Sequence, residues 1–296
     1  MLADPGTLPV VVCRVGQPDG FDSARHAVEA NPAWDLAVAD IDLERLIENV
    51  QRSPLAASTL AVHLRTISTV SVEHGLALES AAYGLLQAGP EFATWRAGQP
   101  PTPSSGRPGP VVFAARDGGT LIITLDRPAR HNAISTQLRD ELDDALALAE
   151  ADSAVTSVVL RGHGASFCSG GDLSEFGLRL DAATAHITRL ARSPARRLHR
   201  LRSRTTVQIH GATMGGGIEL AAFADHIVAH PETAIALPEI SLGLIPGAGG
   251  TVSITRRIGR HRTAALALTG QTIGADTALR WGLVDVIADT THRASR

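Results

Sequence analysis

Two glutamates set in glycine-rich apolar frames are the residues of this chain best placed to do chemistry. Glu219 lies in His210-Gly211-Ala212-Thr213-Met214-Gly215-Gly216-Gly217-Ile218-Glu219-Leu220. Glu239 lies in Leu237-Pro238-Glu239-Ile240-Ser241-Leu242-Gly243-Leu244-Ile245-Pro246-Gly247-Ala248-Gly249-Gly250-Thr251. Upstream runs Ser166-Phe167-Cys168-Ser169-Gly170-Gly171-Asp172-Leu173. A carboxyl in apolar surroundings has a raised pKa, the usual setting of a general acid or base. Gly216 stands at the mouth of a helix, where N–H groups lack an intrahelical acceptor and the dipole favours an anionic oxygen. Gly171 can supply a second N–H from another direction. Two converging donors form an oxyanion hole. Together the four residues describe chemistry next to a carbonyl that becomes an enolate.

Each residue also has a plain structural reading. The glycines can mark tight packing or a turn. Glu219 can be a carboxylate at a helix N-terminus and Glu239 an exposed loop charge. Their combination favours catalysis. Other chemistries fit less well. Ser169 is not in a G-x-S-x-G elbow, because Phe167 occupies the first glycine position. No G-x-G-x-x-G follows a strand, and the histidines lack H-E-x-x-H spacing. His210 is expected in a turn, and Cys168 as a small core residue. Every basic residue among the 27 Lys+Arg is arginine. Without lysine there is no Schiff base and no P-loop.

The elements that must hold these groups alternate strand and helix. Leu121–Leu125, Val155–Leu160, Thr206–Ile209 and Asp225–Ala229 have strand patterns. Ser135 is placed to cap a helix with Leu138, Leu142, Ala145 and Leu148 on one face, and a long helix is expected from about Ala182 to Arg200. The pattern predicts α/β units around a largely parallel sheet, with ligands at the strand-to-helix ends where the motifs fall. A net charge of −3 argues against a nucleic-acid surface. No apolar run reaches membrane-span length, no signal peptide is evident, and two cysteines without metal spacing suit a reducing cytoplasm.

These motifs resemble the enoyl-CoA hydratase/isomerase (crotonase) superfamily. Phe167–Leu173 is similar to its first oxyanion loop, His210–Ala221 to its second, and Pro238–Thr251 to its catalytic loop and following helix. Leu125-Asp126-Arg127-Pro128 with Asn132-Ala133, and Thr269-Gly270-Gln271 with Trp281-Gly282-Leu283-Val284-Asp285, extend the match over about residues 111–288. The resemblance implies a spiral of repeated ββα units, an acyl-CoA thioester substrate and a trimer or dimer of trimers. It assigns the oxyanion donors to Gly171 and Gly216 and the acid–base pair to Glu219 and Glu239. Contacts to CoA are expected from Ser169, Asp172, Leu173 and Arg130, although a solvated turn arginine is an equal reading of Arg130. The implied reaction is water addition to a 2-enoyl-CoA, without metal or separate cofactor. A double-bond isomerase and a non-catalytic acyl-CoA-binding protein are the alternatives.

Four segments are expected: an N-terminal part (1–97), a Pro/Gly/Ser linker (98–110), the core (111–288) and a tail (289–296). The N-terminal part begins as a strand–helix–strand unit with a helix near Arg25. It continues as helices, with Leu60, Leu64, Leu76, Leu85 and Phe92 expected inside. Ser53-Pro54-Leu55-Ala56 and Glu73–Leu86, ending at Pro90-Glu91-Phe92, resemble the helical segment that normally follows the family's core. A circular permutation would explain this, since chain ends often lie close together. An unrelated helical domain that recruits a partner is the alternative.

Overall fold

The structure is a computed structural model that describes residues 10, 12–15, 35–100, 109–177 and 181–289. The helix expected near Arg25, most of the linker and nearly all of the tail lie outside the described residues. Two parallel strands come first, β1 (Val12–Val15) and β2 (Leu36–Ala39). Four helices follow: α1 (Asp40–Arg52), α2 (Pro54–Ile67), α3 (Val72–Gln87) and α4 (Pro90–Ala97). Pro54 and Pro90 open their helices, where a missing N–H costs nothing. Ser71 caps α3 by accepting from His74 N at 3.2 Å.

The core starts with the antiparallel hairpin β3 (Val112–Asp117) and β4 (Thr120–Leu125). Next come α5 (Thr136–Ala151), β5 (Ser157–Gly162), α6 (Ala182–Ala191) and α7 (Pro194–Leu201). Strands β6 (Thr205–Ile209) and β7 (Ala212–Met214) lead into helix α8 (Gly216–Ala221). Strands β8 (His226–Ala229) and β9 (Ala234–Ala236) lead to a short 3₁₀ turn (Glu239–Leu242) and helix α9 (Gly250–Thr269). The chain closes with β10 (Ile273–Gly274), α10 (Ala275–Trp281) and β11 (Val286–Ile287). The large sheet has the order β11-β8-β6-β5-β4-β3, parallel apart from the hairpin. The small sheet has the order β10-β9-β7 and is continued by the bridges Cys168–Thr213 and Ile134–Gly171. Successive turns run strand, short strand or bridge, helix, which is the ββα spiral.

Ser135 does cap α5, accepting from Leu138 N at 3.2 Å. The helix expected over 182–200 is broken, however. Pro194 has no N–H to continue the ladder, and Ser193 starts a new helix by accepting from Arg196 N at 3.3 Å. Leu148 is exposed rather than on the buried face of α5. In α3 the buried stripe is Val72, Leu76, Glu79, Tyr83 and Leu86, at helical spacing. That stripe turns Leu78 and Leu85 outward, and Leu85 is 71% exposed. Among the described residues no helix is long and apolar enough to cross a membrane.

Helix α9 joins the two parts. Leu60, Leu64 and Leu76 belong to one buried cluster with Val252 and Ile254. Asn49 Nδ2 donates to the carbonyls of Leu268 and Thr269 at 3.0 Å each. His63 Nε2 lies 2.9 Å from Thr251 Oγ1, and burial pushes this imidazole down to about 4, so it is neutral at pH 7. The two leucines of opposite burial supply a test. Leu60→Ala should cost about 2–5 kcal/mol in chemical denaturation, whereas Leu85→Ala should stay within about 0.5 kcal/mol.

Candidate active site

The three motif stretches meet at one cavity of about 400 Å³. Phe167 N donates to His210 O at 2.8 Å, Cys168 N to Ala212 O at 3.3 Å, and Met214 N to Cys168 O at 3.0 Å. These bonds lay the first loop beside β7. Ile134 N then donates to Gly170 O at 2.7 Å, and Asp172 N to Ile134 O at 3.0 Å. A parallel bridge of this kind uses the groups on either side of Gly171 and turns its own N–H the other way. Gly216 opens α8, and its N–H has no helical acceptor. Among the described residues neither N–H has an acceptor. A Cβ on Gly216 would stand 4.0 Å from Gly170 Cα, so the two loops run side by side.

Two carboxyls line this cavity. Glu219 is 2% exposed, and its Oε2 accepts from Ala248 N at 2.7 Å and Gly250 N at 2.9 Å. Burial pushes Glu219 up to about 7 against the pull of those donors. Glu239 begins the 3₁₀ turn after Pro238, and its shielded Oε2 has no hydrogen-bond partner among the described residues. Burial, with Glu219 and Glu79 nearby, raises Glu239 well above the carboxylate range. Gly215 has φ +46°, and a Cβ there would lie 2.3 Å from Glu239 Oε1. Glycine at this position leaves room for the carboxyl.

Sequence reasoning missed a third carboxyl. Glu79, on α3, also lines the cavity and is 1% exposed. Its Oε1 accepts from Gly249 N at 2.6 Å. Its Oε2 accepts from Thr251 N at 2.9 Å and Thr251 Oγ1 at 2.6 Å. Burial and the charge of Glu219 push it up to about 8 against those three donors. The one signal in the sequence is its place on the stripe shared with Leu76 and Tyr83.

The remaining site expectations divide. Ser169 and Leu173 line the cavity. Asp172 borders it too, but its side chain is turned into a buried ion pair with Arg127 Nη2 at 2.9 Å. Its other oxygen accepts from Ser174 N and Oγ. Arg127 and Ser174 thus absorb the carboxylate, which fixes the loop and is not presented to a ligand. Arg130 is exposed at the end of the 3₁₀ turn Pro128–Arg130 and is not among the lining residues. Burial pushes the Cys168 thiol up to about 12, so it is a packed thiol and not a nucleophile.

Residues 115–292 match the model of the enoyl-CoA hydratase/isomerase family. The chain is 34% identical to 2,3-dehydroadipyl-CoA hydratase of Escherichia coli (strain K12), over 58% of this chain and 67% of that protein. It is 33% identical to short-chain-enoyl-CoA hydratase of Clostridium acetobutylicum, over 61% of this chain and 70% of that protein. The crystal structure of enoyl-CoA hydratase from Thermoplasma volcanium GSS1 superposes with a TM-score of 0.57 at 34% identity, covering 61% of this chain and 73% of that one. With the spiral fold, the paired glycine loops and this family match, the chain belongs to the enoyl-CoA hydratase/isomerase family.

Proposed function

We propose that this protein adds water across the double bond of a 2-enoyl-CoA thioester. The observation that carries the reading is the meeting of two raised carboxyls and two uncommitted backbone N–H groups in one cavity. Hydratase relatives matched over most of their length support it. The N–H groups of Gly171 and Gly216 receive the thioester oxygen, where charge grows as the enolate forms. Glu219 and Glu239 hold the water. Glu219, anchored by two N–H donors, acts as the carboxylate that takes a proton from the water. The water oxygen bonds to the β-carbon, and the double-bond electrons move onto the thioester oxygen. Glu239, whose shielded Oε2 has no partner and which burial holds protonated, returns a proton to the α-carbon as the carbonyl re-forms. The net change is one water added, and proton exchange between the two carboxyls restores the site.

The same reading treats residues 40–97 as the family's closing helical segment carried ahead of the core. Lining of the cavity by α3 supports it. A trimer or dimer of trimers is our reading of the assembly, supported by the exposed apolar side chain of Ile187. The buried free thiol of Cys168 suits a reducing cytoplasm.

Three measurements follow from this site. Glu219→Gln and Glu239→Gln should each lower kcat for crotonyl-CoA hydration by about 10²–10⁴. Turnover that survives Glu219→Gln would favour isomerisation, which needs a single base. The pH–rate profile should be a bell. Activity falls toward low pH as Glu219 gains a proton, with that limb near 7, and falls toward high pH as Glu239 loses its proton. A monotonic profile across this range would reject the division of roles. Deleting residues 1–105 should leave an aggregating, inactive core, because Gly249, Thr251 and the α9 face lose their partners. A soluble, active core would mark the N-terminal part as an appended domain.

A further inference from the structure

The cavity wall carries a cationic group that water addition does not use. Arg189, on α6, lines the cavity half-buried. Its Nε donates to Ser80 Oγ at 2.9 Å, and its Nη2 to the Ser80 carbonyl at 3.1 Å. Its guanidinium lies over the Tyr83 ring, 5.0 Å from the centroid. His186, one turn earlier, places Nδ1 at 2.9 Å from the same Ser80 Oγ. Ser80 and Tyr83 thus fix the planar group from the α3 side, yet every partner is neutral.

Apart from Glu239, which burial holds protonated, the other charges of the wall are already committed. Arg139 pairs with Asp140 at 2.8 Å and Arg192 with Asp144 at 2.6 Å. Asp172 pairs with Arg127. Glu175 accepts from Thr136 N and Oγ1. Glu79 and Glu219 are occupied by the backbone of residues 248–251. Among the described residues Arg189 has no carboxylate partner, and its Nη1 has no acceptor. A partly desolvated guanidinium held in a fixed orientation, with no ion pair and only the longer-range attraction of Glu79, is costly in a folded wall. Its fork geometry matches one carboxylate in a bidentate pair.

Neighbouring contacts link it to the reacting centre. A Cβ on Gly216 would stand 3.4 Å from Ala248 Cβ, and one on the neighbouring Gly247 would stand 2.3 Å from Tyr83 Cδ2. The wall therefore runs from the oxyanion glycine through Ala248 and Gly247 to Tyr83, and then to Arg189. We infer that Arg189 binds a carboxylate at the far end of the acyl chain, so that the preferred substrate is the 2-enoyl-CoA of a dicarboxylic acid. The inference rests on the hydration reading above and names its substrate class.

The test uses the full chain with two substrates of equal length, 2-hexenoyl-CoA and its analogue ending in a carboxylate. The expected kcat/KM favours the carboxylate by about 10- to 100-fold. Arg189→Met should abolish that preference, and Arg189→Lys, which keeps the charge but not the fork, should retain part of it. Equal kcat/KM for the two substrates, or a preference for the apolar one, overturns the inference. So does an equal loss on both in Arg189→Met, which would make the guanidinium a CoA-phosphate anchor or a wall support. Should folded protein hydrate neither substrate, the hydration reading fails by itself. Calorimetry then decides the inference with the saturated pair, hexanoyl-CoA and adipoyl-CoA. Tighter binding of adipoyl-CoA, lost in Arg189→Met, upholds the carboxylate site, and equal binding of the two overturns it.

Discussion

The turn at Ala248–Thr251 is where the two ends of the structure are tied together. The N–H groups of Ala248 and Gly250 point to Glu219, and those of Gly249 and Thr251 point to Glu79. The start of any helix leaves such donors without intrahelical acceptors, and here the start of α9 is buried. A buried carboxylate is equally costly alone. Each problem solves the other, and one carboxyl comes from helix α3 while the other comes from helix α8. At Gly249 and Gly250 a side chain is excluded by the neighbours. A Cβ on Gly249 would meet Phe223 at 2.4 Å, and one on Gly250 would meet Glu219 Cγ at the same 2.4 Å.

This arrangement separates chemically identical groups. Burial raises Glu79, Glu219 and Glu239 together, and each charge makes the next harder to form. Donors oppose that rise in different settings. Two backbone N–H groups serve Glu219, held near 7, and three donors serve Glu79, held near 8, whereas the shielded oxygen of Glu239 has none. The backbone, through where its N–H groups point, gives carboxyls of one residue type different settings.

Much of this was legible in the sequence because it is local. The run Gly215-Gly216-Gly217 and the placement of Pro238 beside Glu239 fix backbone geometry within a few residues. So does the cap at Ser135. What was not legible depends on distant partners. Asp172 has the composition of a binding residue until Arg127, 45 positions away, takes it up. Glu79 sits in an Ala-rich helix where a glutamate reads as surface, and only the turn at Gly249, 170 positions on, explains its burial. Leu85 erred the other way, because a helix rich in apolar residues offers more than one possible inner stripe. Arg189 carried no local signal, since its setting is made by Ser80 and Tyr83 from another segment.

The span between Glu79 and its turn also sets an order of events during synthesis. Helices α2 and α3 leave the ribosome before α9, with Leu60, Leu64 and Leu76 facing a partner that does not yet exist. The 170 residues separating Glu79 from Gly249 take about 10–35 s to make at roughly 5–20 residues per second. During that interval the nascent chain shows an apolar helical face and an unpaired carboxylate. The face closes only when α9 emerges. Chain order thus makes helices synthesised ahead of the core wait for the core to find their place.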